Sequence, residues 1–407
     1  MQLGKHWRAP DPGGRCFDSL PGTVETLLTG GSPLPSLDLA AHALPPRADR
    51  VALVYLDAFG WRFLQRHAEH PVFRRARSIE QLTSQFPSTT AAHVTTVHTG
   101  LPVGEHGVYE WYVLEPTLDR LVTPLLFAFA GNKERGSLGV TGLPLNAIFP
   151  DGSPLYRRLT AAGATPVVVQ PTAFLPAGAE ALAPSALIAR DARIAGWQAI
   201  DEAFELLVSE VAREERIFAN VYLPHVDELM HVHGPDHEFV DEAIEWTLDL
   251  LDEALTQLPA GTVTLLTADH GMAPVSPERT VYVDELWPEL AGLLRTGADG
   301  LALAPAGSSR DLFLHVAPGR ATDVRDGLAS RLDGIAEAWL TADLVAAGLF
   351  GAAGPKLRAR LGEVAVLPHL GEAVYWRGGG RFQQTFLGQH GGLTPDEMEI
   401  PLVVFVS

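Results

Sequence analysis

The 407-residue sequence predicts an α/β fold: a mostly parallel central sheet with helices on both faces, carrying a small α+β cap as an insertion. Two observations predict it. Five short apolar runs rich in β-branched residues recur along the chain: VALVYLD (51–57), TPVVVQP (165–171), RIFANVYL (216–223), TVTLLTAD (262–269) and IPLVVFV (400–406). Continuous runs of this kind, unlike alternating ones, suit strands buried on both faces. Segments of helical period lie between them, and strands alternating with helices imply a parallel sheet covered on both sides.

The helices are read in order. SPLYRRLTAAG (153–163) opens with Ser153 and Pro154, a cap and first-turn pair. AGWQAIDEAFELLVSEVAREE (195–215) and DHEFVDEAIEWTLDLLDEALTQL (236–258) place charges on one face and apolar residues on the other. The alternation stalls between about 273 and 385, where short strands, a helix and Gly/Pro turns suggest the cap. The expected organisation is therefore a catalytic domain of residues 1–272 and 386–407, with 273–385 as the smaller α+β insertion. Stretches near 131–155 and 303–309 read as loops, and no fixed-period repeat is found.

Composition narrows the function. The chain carries 49 acids against 30 bases, a formal charge of −19, which argues against a nucleic-acid-binding surface. A phosphate-bearing ligand would need local help from metal. One cysteine, Cys16, excludes an internal disulfide framework and suits a reducing compartment. The first 22 residues contain no continuous apolar run, so no signal peptide or membrane span is expected and the expected localisation is cytoplasmic.

In open α/β sheets ligands collect beyond the carboxyl ends of the strands. VALVYLD ends on Asp57, and TVTLLTAD ends on Asp269 followed by His270. A carboxylate at such a place is normally paired, hydrogen-bonded or metal-bound, because burying it alone is costly. After the strand ending near Leu223 comes PHVDELMHVHGPDH, in which Asp227 and His231 stand four residues apart. On a helix both would face one side and could chelate one cation, with His225, His233 and His237 as further candidates. In FLGQHGGLTPDEMEIPLVVF, His390 lies among Gly388, Gly391 and Gly392, which permit a tight backbone approach to a site. Three carboxylates and three histidines suit two divalent ions, and mixed N/O ligation favours zinc, with manganese as the alternative. Two ions about 4 Å apart can hold the attacking and leaving oxygens of an in-line phosphoryl displacement.

Taken with the hydroxyl-rich PSTTAAHVTTVHTG (87–100), DELMHVHGP, DHGM and QHGG, these residues resemble the alkaline phosphatase superfamily, in its type I phosphodiesterase/nucleotide pyrophosphatase branch. The resemblance covers about 50–272 and 385–407. It implies one zinc on Asp57, Asp269, His270 and the nucleophile oxygen, and another on Asp227, His231 and His390. It places the nucleophile on Thr90, with Thr89 as the neighbouring alternative, and implies a phospho-threonine intermediate that water then hydrolyses.

The pattern departs from the family in one respect. The phosphate-holding Asn would fall near Trp111, yet no Asn lies between 86 and 120, and His93 stands where an Asn follows the nucleophile. His93 or the backbone N–H after Thr90 is expected to meet the phosphate oxygens. Tyr109, Trp111 and Tyr112 are expected to wall the leaving group.

Two zinc ions balance three aspartates and an alkoxide, and no Lys or Arg occurs from 78 to 118. A singly charged diester suits that balance better than a dianionic monoester, unless Arg310 or Arg377 of the cap reaches in. The expected activity is a two-metal phosphodiesterase or nucleotide pyrophosphatase acting on a small phosphate ester, a nucleotide among the candidates. The alternatives are a phosphomonoesterase, a phosphonate hydrolase or a metal-binding homologue without turnover.

Overall fold

The computed structural model describes residues 4–132, 134–175 and 183–407. Seven strands form the central sheet: β1 (Arg50–Leu56), β2 (Ser78–Thr83), β3 (Thr165–Pro171), β4 (Arg193–Trp197), β5 (Ile217–Leu223), β6 (Val263–Thr267) and β7 (Glu399–Val406). Their spatial order is β2-β7-β6-β1-β5-β3-β4. Pairing is parallel from β6 through β1, β5 and β3 to β4. Strand β7 runs against both its neighbours, β2 and β6. The interiors of β1, β5 and β6 are almost wholly buried, as continuous apolar runs require when helices cover both faces. Helices Leu20–Thr29, Thr90–Thr99 and Pro154–Ala161 pack together in one group, and Ile200–Arg213, His225–His233 and Glu238–Gln257 in another.

Register positions the site. Tyr55 lies opposite both Tyr222 and Thr267, so continuing β1 and β6 by two residues brings Asp57 alongside Asp269. Because β7 is antiparallel, the loop that enters it arrives at this same edge, carrying His390.

Three features differ from the sequence reading. The segment expected to be helical from 195 starts as strand β4, whose residues pair with Val167–Pro171. The helix follows from Ile200, with Glu202 reaching back to accept from the backbone N–H groups of Gln198 and Ala199. Pairing to an edge overrides local helical period here. Strand β2, SIEQLT, has no apolar run because it is an edge strand only partly buried. A small antiparallel sheet of Val113–Glu115, Arg120–Thr123 and Ala128–Phe129 also had no counterpart in the sequence reading.

Within 273–385 a four-stranded antiparallel sheet orders as Ala306–Gly307, Leu312–Leu314, Val364–Pro368 and Ala336–Leu340, with helix Ala321–Arg331 against it. Ala273–Pro274 pairs with Gly388–Gln389 where the chain leaves and returns. Phe313, Phe350 and Leu367 share one apolar cluster with Phe86 and Tyr109, so this sheet is packed onto the main body. A buried ion pair reinforces the junction: the Arg310 guanidinium donates to both carboxylate oxygens of Glu397, at 2.9 and 2.8 Å. Arg310 is therefore spent on structure and does not reach the cleft. No helix among the described residues is long and apolar enough to cross a membrane.

Arg310→Ala would leave Glu397 buried and uncompensated, so it should destabilise the fold by about 3–5 kcal/mol. The shift in the midpoint of urea denaturation measures this; a shift below about 1 kcal/mol would deny the pair its structural role.

Candidate active site

Asp57 leaves β1 into a turn whose next residue, Ala58, holds a left-handed φ of 61°. The strain is supported locally, since Ala58 N–H donates to Asp269 Oδ1 (3.2 Å) and Asp57 N–H to Leu223 O (3.0 Å). Gly60 and Gly271 allow the two turns to meet. A Cβ on Gly60 would lie 2.6 Å from the Gly271 Cα, and one on Gly271 would lie 2.1 Å from the Asp396 carbonyl oxygen.

Asp57, Asp269 and His270 are buried and converge. His270 Nε2 is 3.1 Å from Asp269 Oδ2, 3.5 Å from Asp57 Oδ1 and 3.2 Å from the Thr90 hydroxyl. A second triad lies beside it. Helix His225–His233 aligns Asp227 and His231, 3.4 Å apart, and His390 Nε2 is 3.8 Å from Asp227 Oδ1. The His270 and His390 rings stack between the triads at 3.7 Å.

Three features fit these triads to divalent cations. First, Asp57 Oδ1, Asp227 Oδ1 and Asp269 Oδ2 are buried and accept no hydrogen bond among the described residues. Second, each histidine turns its Nδ1 to a backbone carbonyl: His231 to Gly388, His270 to Gly271 and His390 to Ser88, at 2.8–2.9 Å. That hydrogen bond orients each ring through Nδ1 and aims Nε2 at the carboxylates, the arrangement a metal-binding imidazole uses. Third, donor separations of 3.1–3.8 Å match the edge of roughly 3.3–3.4 Å expected for tetrahedral zinc with bonds near 2.0–2.1 Å.

The electrostatics agree. Without cations, burial and then the neighbouring Asp269 and Asp227 push Asp57 well above the ordinary carboxylate range. Burial also raises Asp227. Burial opposes ionisation of Asp269 and of His270, but each holds the other charged. A cluster that retains protons when bare is one that exchanges them for metal.

The structure separates the two candidate hydroxyls. Thr89 is the N-cap of helix Thr90–Thr99, and its hydroxyl donates to the Tyr109 carbonyl (2.9 Å). Thr90 is the first residue of that helix and points its hydroxyl at His270. It stands at the positive end of the helix dipole, where an anion is favoured.

Two expected substrate contacts are corrected. His93 is fully buried, with Nδ1 at 2.7 Å from the Thr89 carbonyl and Nε2 accepting from Gln85 N–H (3.0 Å) beside Ser84 Oγ (2.9 Å). Both ring nitrogens are used, and burial lowers its pKa to about 4, so it is a neutral buttress. Its effect on the site is indirect, since Ser84 Oγ donates to the Asp269 carbonyl at 2.6 Å. Tyr109 is also fully buried, edge-on to Phe313, with its hydroxyl on the Arg360 carbonyl. His225 bonds Thr247 Oγ1, while the His233 and His237 rings lie against each other at a tilt, 5.1 Å between centroids, so none of the three joins the triads.

The triads open into a cleft of about 420 Å³. Trp111, Tyr112, Phe174, Tyr222, Tyr375 and Phe386 supply apolar walls. Arg135 is the only arginine or lysine among the described lining residues. Arg377 instead lies over the Tyr282 ring at 3.9 Å and pairs with Glu285.

Glu110, passed over in the sequence because an acid in VYEWYV looks like an ordinary surface residue, lines the cleft while almost fully buried. Burial pushes it up to about 7, and burial together with Glu110 pushes its neighbour Asp311 well above the usual range. Burial and mutual repulsion thus hold both carboxyls toward their protonated forms.

A family model described as type I phosphodiesterase / nucleotide pyrophosphatase matches residues 51–393. No curated protein sequence matches significantly. Among solved structures, murine ectonucleotide pyrophosphatase/phosphodiesterase 5, an inactive form in complex with AMP, superposes with a TM-score of 0.62 at 16% identity, covering 87% of each chain. The human counterpart gives 0.60 at 18% identity, covering 88% of this chain and 87% of that one. Phosphonoacetate hydrolase from Sinorhizobium meliloti, in complex with phosphonoacetate, gives 0.62 at 17% identity, covering 87% of this chain and 89% of that one.

The Glu110 carboxyl has a folded pKa raised from the ordinary 4.5 to about 7. Its contribution to stability is therefore full below about pH 4.5 and is lost as pH rises through about 7. Glu110→Gln should lack that loss, so its stability relative to the native chain should rise across neutral pH in denaturation at a series of pH values. Parallel profiles would exclude a raised Glu110 pKa.

Proposed function

From the chain's membership of the type I phosphodiesterase/nucleotide pyrophosphatase family, we propose that it is a two-metal hydrolase of phosphate diester or pyrophosphate bonds acting through Thr90. The observation that carries this reading is the Thr90 hydroxyl, free of the capping role that Thr89 fills and aimed at the meeting point of two carboxylate–histidine triads.

The triad of Asp57, Asp269 and His270 and that of Asp227, His231 and His390 would each hold one divalent ion, zinc by donor type. Bound there, two cations favour the alkoxide of Thr90 and offset charge on the phosphoryl oxygens. Thr90 Oγ1 attacks phosphorus, forming the Thr–O–P bond while the bond to the leaving oxygen breaks. Water then attacks phosphorus from the vacated side and returns Thr90, with inversion at each step. The N-terminus of helix Thr90–Thr99 offers N–H groups to the phosphoryl oxygens, a task His93 cannot share because both its ring nitrogens are engaged. Trp111 and Tyr112 offer stacking surface to an aromatic leaving group such as a nucleobase.

A diester monoanion is the favoured substrate class, since neither Arg310 nor Arg377 enters the cleft and the Glu110–Asp311 pair adds no positive charge. Arg135 in the lining is the observation that favours the other reading, a phosphonate or phosphomonoester dianion.

Zinc-loaded protein should hydrolyse bis-p-nitrophenyl phosphate faster than p-nitrophenyl phosphate; the reverse order would replace the diester reading with the monoester one. Thr90→Ala should lower kcat on the order of 10³-fold or more while retaining metal. Thr89→Ala should mainly cost about 1 kcal/mol of stability as a lost cap.

A further inference from the structure

Besides the two triads of the cleft, a third group of ligating side chains comes together elsewhere in the fold. His6 of the N-terminal arm, Glu337 and His369 present three donor atoms that all lie within 4.8 Å of one another. His6 Nε2 is 3.0 Å from Glu337 Oε1, and His369 Nε2 is 3.9 Å from the same oxygen. These values bracket the roughly 3.3–3.4 Å edge of a tetrahedral zinc site with bonds near 2.0–2.1 Å.

The arrangement is prepared by the sheet. Glu337, on Ala336–Leu340, pairs with Leu367 in the neighbouring strand, and His369 lies two residues beyond Leu367, so both project to one face. His369 N–H donates to the Ile335 carbonyl (2.9 Å), and its own carbonyl accepts from buried Arg310 (2.8 Å). Its Nδ1 lies 3.4 Å from the Gly334 carbonyl, while its Nε2 is buried with no hydrogen-bond partner among the described residues. An imidazole nitrogen withdrawn from water and left without a partner beside a carboxylate and a second imidazole is a metal donor in waiting. Trp7 packs against both imidazoles, with ring centroids 4.7 Å from His6 and 5.6 Å from His369.

We propose that His6, Glu337 and His369 form a third divalent-cation site, suited to zinc, in which water completes the coordination and the ion clasps the N-terminal arm to the sheet of the 273–385 insertion. Two imidazoles and one carboxylate are the donor set for a borderline transition metal, not for calcium or magnesium, which take oxygen ligands. The arm is itself fastened to the main body, through Arg8 N–H on the Leu393 carbonyl (2.7 Å) and Asp11 N–H on Thr83 Oγ1 (3.1 Å). An ion here would bridge the insertion to the catalytic body from outside the cleft whose wall that insertion supplies.

Protein equilibrated with zinc and passed through a desalting column should lose one ion per chain in His369→Ala and in Glu337→Gln relative to the native chain, counted by plasma mass spectrometry. Because the readout is a difference, it holds whatever number of ions the catalytic triads carry. Both side chains are partly exposed, and circular dichroism should show the variants folded, with diesterase activity within about twofold of native. Zinc added to chelator-stripped native protein should also raise Tm further than it does for either variant. Equal ion counts in the native chain and both folded variants, or equal zinc-induced shifts in Tm, would overturn the proposal.

Discussion

Three aspartates, Asp57, Asp227 and Asp269, are gathered at one edge of an apolar sheet with more negative charge than the histidines around them balance, and much of the surrounding structure exists to hold them there. Burial alone would drive such carboxyls to keep their protons. What the fold supplies instead is a set of oriented nitrogens: three imidazoles, each clamped through Nδ1 by a backbone carbonyl, with Nε2 left to face the acids. The clamps come from three separate segments, so the site is a statement about how loops at one sheet edge meet.

That meeting is fixed by backbone as much as by side chains. Parallel register brings the ends of β1 and β6 level, and the antiparallel β7 returns its loop to the same edge. Gly60 and Gly271 let the Asp57 and Asp269 turns approach until a single Cβ would collide. Thr89 then closes the start of its helix, freeing Thr90 to face His270. Below them His93 works from behind, bonding the chain on either side of the turn before Thr90 and bracing Ser84, which in turn holds the Asp269 carbonyl. Though it does not line the cleft, it positions the residue that positions the triads.

The insertion is tied to this edge at several places. Arg310 and Glu397 form a buried ion pair between it and the turn before β7, and Glu397 also accepts from Gly392 N–H beside His390. Ser308 bonds the His390 carbonyl, and Asp311 closes against Gly391 and Glu110. The same segment that shapes the far wall of the cleft thereby bears on the loop carrying one of the histidines. The triads and the cleft therefore share a mechanical boundary.

Much was legible in the sequence because it depends on local pattern. Continuous β-branched runs marked five strands, and acids at their carboxyl ends marked the edge where ligands gather; the i, i+4 spacing of Asp227 and His231 needed only a helix to align them. The edge strand β2 and the strand β4 were not legible, since a partly buried strand shows no apolar run and pairing outweighed helical period. Nor could residue type say which way a side chain turns. His93 and Tyr109 sit among site residues in the sequence yet point into the core, Arg310 turns to Glu397, and Glu110 turns in to the cleft. The sequence by itself determined which chemical groups lie near the sheet edge. Which of them turn into the cleft was settled by packing, because orientation depends on hydrogen-bond partners in the folded chain, from the neighbouring turn for His93 and from distant segments for Arg310 and Tyr109.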